Sequence, residues 1–172
     1  MEFFDTVKSR HSTRAFMDKP VEKDKIRKVL EAANSAPSAH NLQEYEIFLI
    51  EDRRRITELK QVAEQEFVSK APVVLAFCAH VKEAEEDGKG TGLSRKMFPV
   101  QDATIAASYA QLAAADQGLG SVWVALFNPE KLLKLLGAPK GLVPVVVMPI
   151  GYPSEKPTHK PRRKLDDIVH RV

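Results

Sequence analysis

The sequence predicts one domain that builds helices around a sheet of at least four strands. Its 172 residues and 19.2 kDa are one domain's worth of chain and enough to bury a core. Four apolar runs rich in β-branched and aromatic residues, at 45–50, 73–79, 121–127 and 143–150, alternate with stretches of helical periodicity. A composition of 44% hydrophobic and 28% charged residues is that of an ordinary folded protein, which excludes disordered, collagenous and fibrous classes.

Taken in order, Phe3, Phe4 and Val7 recur at helical spacing in residues 2–9, and Val21, Ile26, Val29, Leu30, Ala32 and Ala33 do so in 21–36. Both are short amphipathic helices. Between them, residues 10–19 lack periodic apolar positions and end in Lys19-Pro20, which favours an extended connection. Pro37 follows the second helix, Ser38-Ala39-His40-Asn41 continues as loop, and 45–50 is the first strand. Residues 55–69 read as a charged, moderately amphipathic helix, after which Pro72 opens the buried strand 73–79. Residues 81–97, with many charges and Gly88, Gly90 and Gly92, are expected to form a polar, mobile excursion or lid.

The alanine-rich stretch 102–117 contains no Lys or Arg, so its helix belongs at the centre of the fold or at an interface. Gly118 can cap it, and 121–127 follows as a strand. A short helix at 129–136 precedes 143–150, whose unbroken apolar character marks a buried strand. In 152–172, Pro153, Pro157 and Pro161 recur among basic residues, which makes an extended, stiff tail. Leu165, Ile168 and Val169 give that tail an apolar end, so it is expected to lie on another surface, that of a second subunit.

Lys and Arg number 26 against 23 Asp and Glu, and a net charge of +3 is too small and too interspersed to point to nucleic acid. The one cysteine, Cys78, sits inside an apolar run, reads as a small buried hydrophobe, and implies a reducing compartment. Met1-Glu2-Phe3-Phe4-Asp5 carries acids where an export signal needs basic residues, and no apolar run reaches the roughly 20 residues that span a membrane. The expectation is a cytoplasmic protein without a membrane partner.

Three stretches could carry chemistry. In extended Arg10-His11-Ser12-Thr13-Arg14, alternate side chains share a face, so Arg10, Ser12 and Arg14 project together over about 13 Å. Forked guanidinium donors and a hydroxyl suit a phosphate, although a solvated basic loop reads the same way. Asn41 and Gln43 offer mixed amide donors and acceptors suited to the edge of a heterocycle, and equally to capping a helix end and a sheet edge. Lys160, Arg162, Arg163 and Lys164 form a second basic cluster, ordinarily a solvated face, for which a small phosphate is the economical partner. There is no HExxH, CxxC or Walker loop, so no metal site is supported, and Gly88-Lys89-Gly90-Thr91-Gly92 does not join a strand to a helix as a dinucleotide loop would. His11, His40, His80, His159 and His170 are scattered and no acid–base or nucleophilic dyad emerges, so the chemistry is expected to belong to a bound cofactor.

Taken together and in order, Arg10-His11-Ser12-Thr13-Arg14, Pro37-Ser38-Ala39-His40-Asn41-Leu42-Gln43, Gly118-Leu119-Gly120-Ser121-Val122-Trp123, Pro149-Ile150-Gly151-Tyr152-Pro153 and Lys160-Pro161-Arg162-Arg163 resemble the nitroreductase family of FMN-dependent oxidoreductases. The resemblance spans nearly the whole chain. It implies an α+β fold, a mixed, mostly antiparallel sheet flanked by helices, in an intertwined homodimer with two FMN sites at its interface. By matching position it implies that Arg10 and Ser12 hold the FMN phosphate, with Arg162 of the tail completing the clamp, and that His11 and Arg163 belong to the cofactor site as well. Arg14 would face the N1 and O2 edge of the isoalloxazine, where a fixed cation stabilises the negative charge that reduction creates. Pro37, Ser38, Ala39, Asn41 and Gln43 would reach the ring and ribityl chain from the partner subunit. The backbone of Val124-Ala125-Leu126 would lie against the ring and donate toward N5.

No side chain is then a covalent catalyst. The implied reaction is a ping-pong transfer of two electrons from NADH or NADPH through FMN to an oxidised nitroaromatic, quinone or other flavin. Reductive dehalogenation, flavin fragmentation and a non-catalytic FMN-binding module are the alternatives on the same scaffold. Two stretches depart from the family pattern. Gln43-Glu44-Tyr45 stands where Pro-Trp often follows the glutamine, and Glu64-Gln65-Glu66-Phe67 stands where larger bacterial members carry an Asn and a Lys near the flavin pyrimidine. That contact is expected to be lost or replaced, and the short 81–97 segment implies an open flavin face with an undemanding acceptor pocket.

Overall fold

The computed structural model describes residues 1–81, 92–157 and 160–172, with 92–96 as backbone only. A strand whose side chains are apolar on both faces has to be covered on both, and β2 (Val73–His80) is buried along all but its last residue. Val74, Ala76 and Cys78 join one core cluster, which contains Ile56 and Leu59 of α3 (Arg53–Ala63) and Leu132 and Leu136 of α5 (Pro129–Leu136). Val73, Leu75 and Phe77 join the other, with Ile26, Val29 and Ala33 of α2 (Lys23–Asn34) and Ala106, Ala107, Ala110 and Ala114 of α4 (Gly92–Asp116). The sheet is thus the middle of three layers. Its strands, with β1 (Tyr45–Ile50), β3 (Gly120–Ser121) and β4 (Leu142–Gly151), run in the order β1-β2-β4-β3, and each neighbouring pair is antiparallel. The one parallel contact is the isolated bridge Ser12 to Ser121 among the described residues.

β1 and α5 lie where the sequence puts them. The expected helix 55–69 is shorter: Asp52 caps α3 by accepting the Arg54 and Arg55 amides at 2.8 and 3.1 Å, Glu64 turns left-handed at φ 51°, and Glu66–Lys70 is a separate 3₁₀ turn. The expected strand 121–127 forms only at Gly120–Ser121, with Val124 bridged to Val147 in the same register. Val122 would pair with Pro149, which has no N–H, so the ladder is interrupted there despite the β propensity of the run. The expected excursion 81–97 falls on residues 82–91, outside the described residues, and the chain is already helical from Gly92.

α1 (Phe3–Ser9) leans on α4 through the Met1 ammonium, which meets Asp116 at 2.5 Å. Beyond Tyr152 the chain leaves the sheet, and residues 160–172 are exposed throughout. Among the described residues, no helix is long and apolar enough to cross a membrane.

Candidate functional site

The sequence after α1 is extended because it has no apolar period to bury as a helix and finds backbone partners at the end of the sheet. The Thr13 amide donates to the Ser121 carbonyl at 3.0 Å, Met17 to Tyr152 at 2.8 Å, and Ser154 back to Ala15 at 3.0 Å. Two glycines make this approach possible. A Cβ on Gly120 would lie 2.4 Å from Thr13 Oγ1, and one on Gly151 would lie 3.0 Å from Phe16 Cδ1. The strand period then sorts the side chains: Thr13 is buried against Gly120 with His11 Nε2 3.1 Å from its hydroxyl, whereas Ser12 and Arg14 are exposed on the other side.

That other side is a groove of about 940 Å³. It is lined by Arg10, Ser12 and Arg14 and by Lys156, Lys160 and Arg162 of the tail, together with Lys8 and His11. Against these cations stand Asp5 and Glu155. Glu155 is already engaged, accepting the Arg14 and Ala15 amides at 2.5 and 3.3 Å. Arg10 is half-buried, and its guanidinium is held below its ordinary pKa by burial first and by the positive charge of Arg162 second. Among the described residues neither arginine has an ion-pair partner. Two guanidinium groups close enough for one charge to act on the other, and without an ion-pair partner among the described residues, make a place suited to an anion. Arg14 bonds the Ser12 carbonyl at 3.4 Å and lies 5.9 Å from the Phe67 ring centroid, so Phe67 of the departing 64–67 stretch is the aromatic neighbour of this cation.

The loop 37–43 sits elsewhere. Its 3₁₀ turn Ala39–Asn41 is closed by bonds within the loop: Ser38 Oγ accepts from the Gln43 amide at 3.1 Å and from Gln43 Nε2 at 3.3 Å, and Gln43 Nε2 also donates to Asn41 Oδ1 at 2.8 Å and to the Asn41 carbonyl. His40, Asn41 and Gln43 all adopt positive φ, at 52°, 58° and 48°. The loop hangs on α4, where Asp102 accepts the Ala39 amide at 2.9 Å. Asp102 lies about 21 Å along the helix, at 1.5 Å per residue, from the Asp116 end beside which the groove opens. One chain thus presents the basic groove and the polar loop as two separate surfaces.

Other expected site residues also divide. The Val124 amide donates to Val147 at 3.0 Å and is occupied, while Ala125 and Leu126 are exposed, Leu126 to 75%. Arg163 turns away from the groove, its Nη2 donating to the Asp167 carbonyl at 2.6 Å, and Lys160 stands in the groove wall in its place. Cys78 is buried and its thiol is pushed up to about 11, by burial first and then by the Glu46 charge, so it remains an inert thiol. Sequence reasoning missed Lys8, Lys156, Glu155 and Asp102. Lys8 carried a signal, since it lies two positions before Arg10, but the other three come together only through long-range folding.

Comparison with known proteins gives this geometry a context. The Nitroreductase family model matches residues 7–67 and 53–152. The chain is 31% identical to an FMN reductase [NAD(P)H] of Bacillus subtilis (strain 168), over 98% of this chain and 73% of that protein. It is 30% identical to a putative NADH dehydrogenase/NAD(P)H nitroreductase of Methanothermobacter thermautotrophicus, over 91% of this chain and 80% of that one. The crystal structure of a nitroreductase family protein from Clostridium difficile 630 superposes with a TM-score of 0.84 at 31% identity, covering 99% of this chain and 98% of that one. One from Streptococcus pneumoniae TIGR4 superposes with a TM-score of 0.88 at 25% identity, covering 99% and 100%. With a family model matched from residue 7 to residue 152 and the same α+β architecture end to end, the chain belongs to the nitroreductase family.

Proposed function

We propose that this chain is an NAD(P)H-dependent FMN oxidoreductase that passes two electrons to an oxidised small molecule such as a nitroaromatic, a quinone or another flavin. The family and the FMN reductase relative support the oxidoreductase class, the cofactor and the nicotinamide donor. One observation in this chain carries the assignment: the Arg10 and Arg162 guanidinium groups share one groove with exposed Ser12 and have no ion-pair partner among the described residues. Those donors fit a phosphate monoester, and the same groove is lined by Arg14, a cation suited to the charge-bearing edge of a flavin. FMN bound there supplies the redox chemistry that no side chain of the chain can.

The protein's own part is holding and tuning. Arg10, Ser12 and Arg162 would hold the phosphate, with Glu155 fixing the Arg14 backbone so that its guanidinium stays where negative charge develops. Ala125 and Leu126, both exposed, would meet the ring, and the buried thiol Cys78 takes no part. Two observations favour a homodimer as the working form. The polar loop and the basic groove are about 21 Å apart along α4, so a second copy's Ser38, Asn41 and Gln43 would complete the site. The apolar tail end, Leu165, Ile168 and Val169, is exposed to between 51% and 69% in one chain and would be covered by a partner. In this reading residues 1–172 are one domain, with the tail 152–172 packed on the partner, and a reducing, cytoplasmic setting suits the free thiol. Steady-state oxidation of NADH or NADPH with FMN-loaded protein and a quinone tests the proposal. Parallel double-reciprocal lines on varying both substrates are expected, and oxidation that ignores the quinone would overturn the acceptor assignment.

A further inference from the structure

Asp102 is 3% exposed, in the middle of a helix whose neighbouring faces are alanine. A carboxylate placed there costs desolvation energy unless it is hydrogen-bonded, and among the described residues its partner is a backbone amide 63 residues away in sequence, Ala39 N–H at 2.9 Å. That amide belongs to the loop with three non-glycine residues at positive φ, a conformation that a free chain leaves for extended or right-handed backbone. The loop is also tied down through Tyr45, whose hydroxyl donates to the Ala33 carbonyl at 3.3 Å and whose amide donates to the Gln43 carbonyl at 2.7 Å. On the α4 side, among the described residues, the Asp102 side chain holds it.

We propose that Asp102 is a positioning residue for the flavin reaction: its buried carboxylate anchors the Ala39 amide and thereby fixes Ser38, Asn41 and Gln43 in the arrangement that receives the flavin. The inference rests on the function proposed above, and assigns a role to a residue that itself touches neither cofactor nor substrate. Asn at 102 keeps an oxygen that accepts the Ala39 N–H; Ala does not.

Two readouts on the full-length chain test it. The first needs no cofactor: hydrogen–deuterium exchange of a peptide covering residues 37–44 should accelerate about tenfold or more in Asp102→Ala, the order expected for one deleted buried hydrogen bond, and stay near wild type in Asp102→Asn. The second is FMN titration by quenching of flavin fluorescence. Asp102→Ala should raise Kd about tenfold and Asp102→Asn by less than about threefold. Gln43→Ala should add little on the Asp102→Ala background, because both changes act through one loop. Equal losses in the Asn and Ala variants, unchanged exchange in Asp102→Ala, or full additivity with Gln43→Ala would each overturn the positioning role. A wild-type chain that takes up no flavin would overturn the proposed function itself, a failure distinct from a chain that binds flavin equally well with and without the Asp102 carboxylate.

Discussion

Arg10 and Arg162 are 152 positions apart in the sequence, and the fold brings them into one groove, with no ion-pair partner for either among the described residues. A phosphate placed there would make charge-assisted bonds to both, so neutralising either should be costly to binding and mild for folding. Arg10→Ala and Arg162→Ala are each expected to raise the FMN Kd about tenfold or more, and the double variant to lose less than the sum, because both bind one group. Fluorescence titration at two salt concentrations checks this, the wild-type affinity falling at higher salt. The residue scale is also where the sequence was most and least readable. Alternation along 10–14 put Arg10, Ser12 and Arg14 on one face, and the burial of Thr13 bears this out because a period of two is a local property of extended backbone. Asp102 and Glu155 gave no local sign, since the amides they accept lie 63, 140 and 141 positions away. Arg163 looked equivalent to Arg162, but adjacent residues in an extended tail point opposite ways, and its partner is the Asp167 carbonyl.

Elements place these residues, and small changes at element contacts should be felt in binding before stability. The 10–16 segment reaches the sheet only because Gly120 has no side chain, so Gly120→Ala must push Thr13 aside. Its flavin affinity is expected to fall by a larger factor than its folding equilibrium constant, measured by titration and by urea unfolding. At α3, the Asp52 carboxyl is held below the usual carboxylate range by the Arg55 amide first and the Arg54 amide second. A depressed carboxyl stabilises the fold above its unfolded pKa and loses that contribution as pH falls through the folded value. The melting temperature of Asp52→Ala should therefore lie below wild type at pH 7, the gap closing in acid below the ordinary Asp range. Element identity was legible where pattern and capping agree, as in β1 and in α5, with Asn128 accepting the Lys131 amide at its start and Gly137 left-handed at its end. It was not legible in 121–127, where propensity favoured a strand but the partner position was Pro149, a fact of pairing that no single segment contains.

For the whole molecule, the three-layer fold followed from the composition of its parts: a strand buried on both faces demands helices on both sides. The division of the proposed site between a groove and a distant loop did not follow from the residues alone, since it depends on the length of α4 between Asp102 and Asp116. The proposed dimer resolves that division. A chain truncated after Ser154 is expected to run as a monomer in size-exclusion chromatography with light scattering and to lose flavin, as it removes Arg162 and the apolar tail end together; a flavin-bound dimer lacking the tail would contradict the proposed packing. The most direct test of the account is the visible spectrum of the purified protein loaded with FMN, followed anaerobically on adding NADH or NADPH and then a quinone. The nicotinamide is expected to bleach the flavin band and the quinone to restore it; a bound flavin that neither nicotinamide can bleach, or a protein that takes up no FMN, would contradict the proposed function.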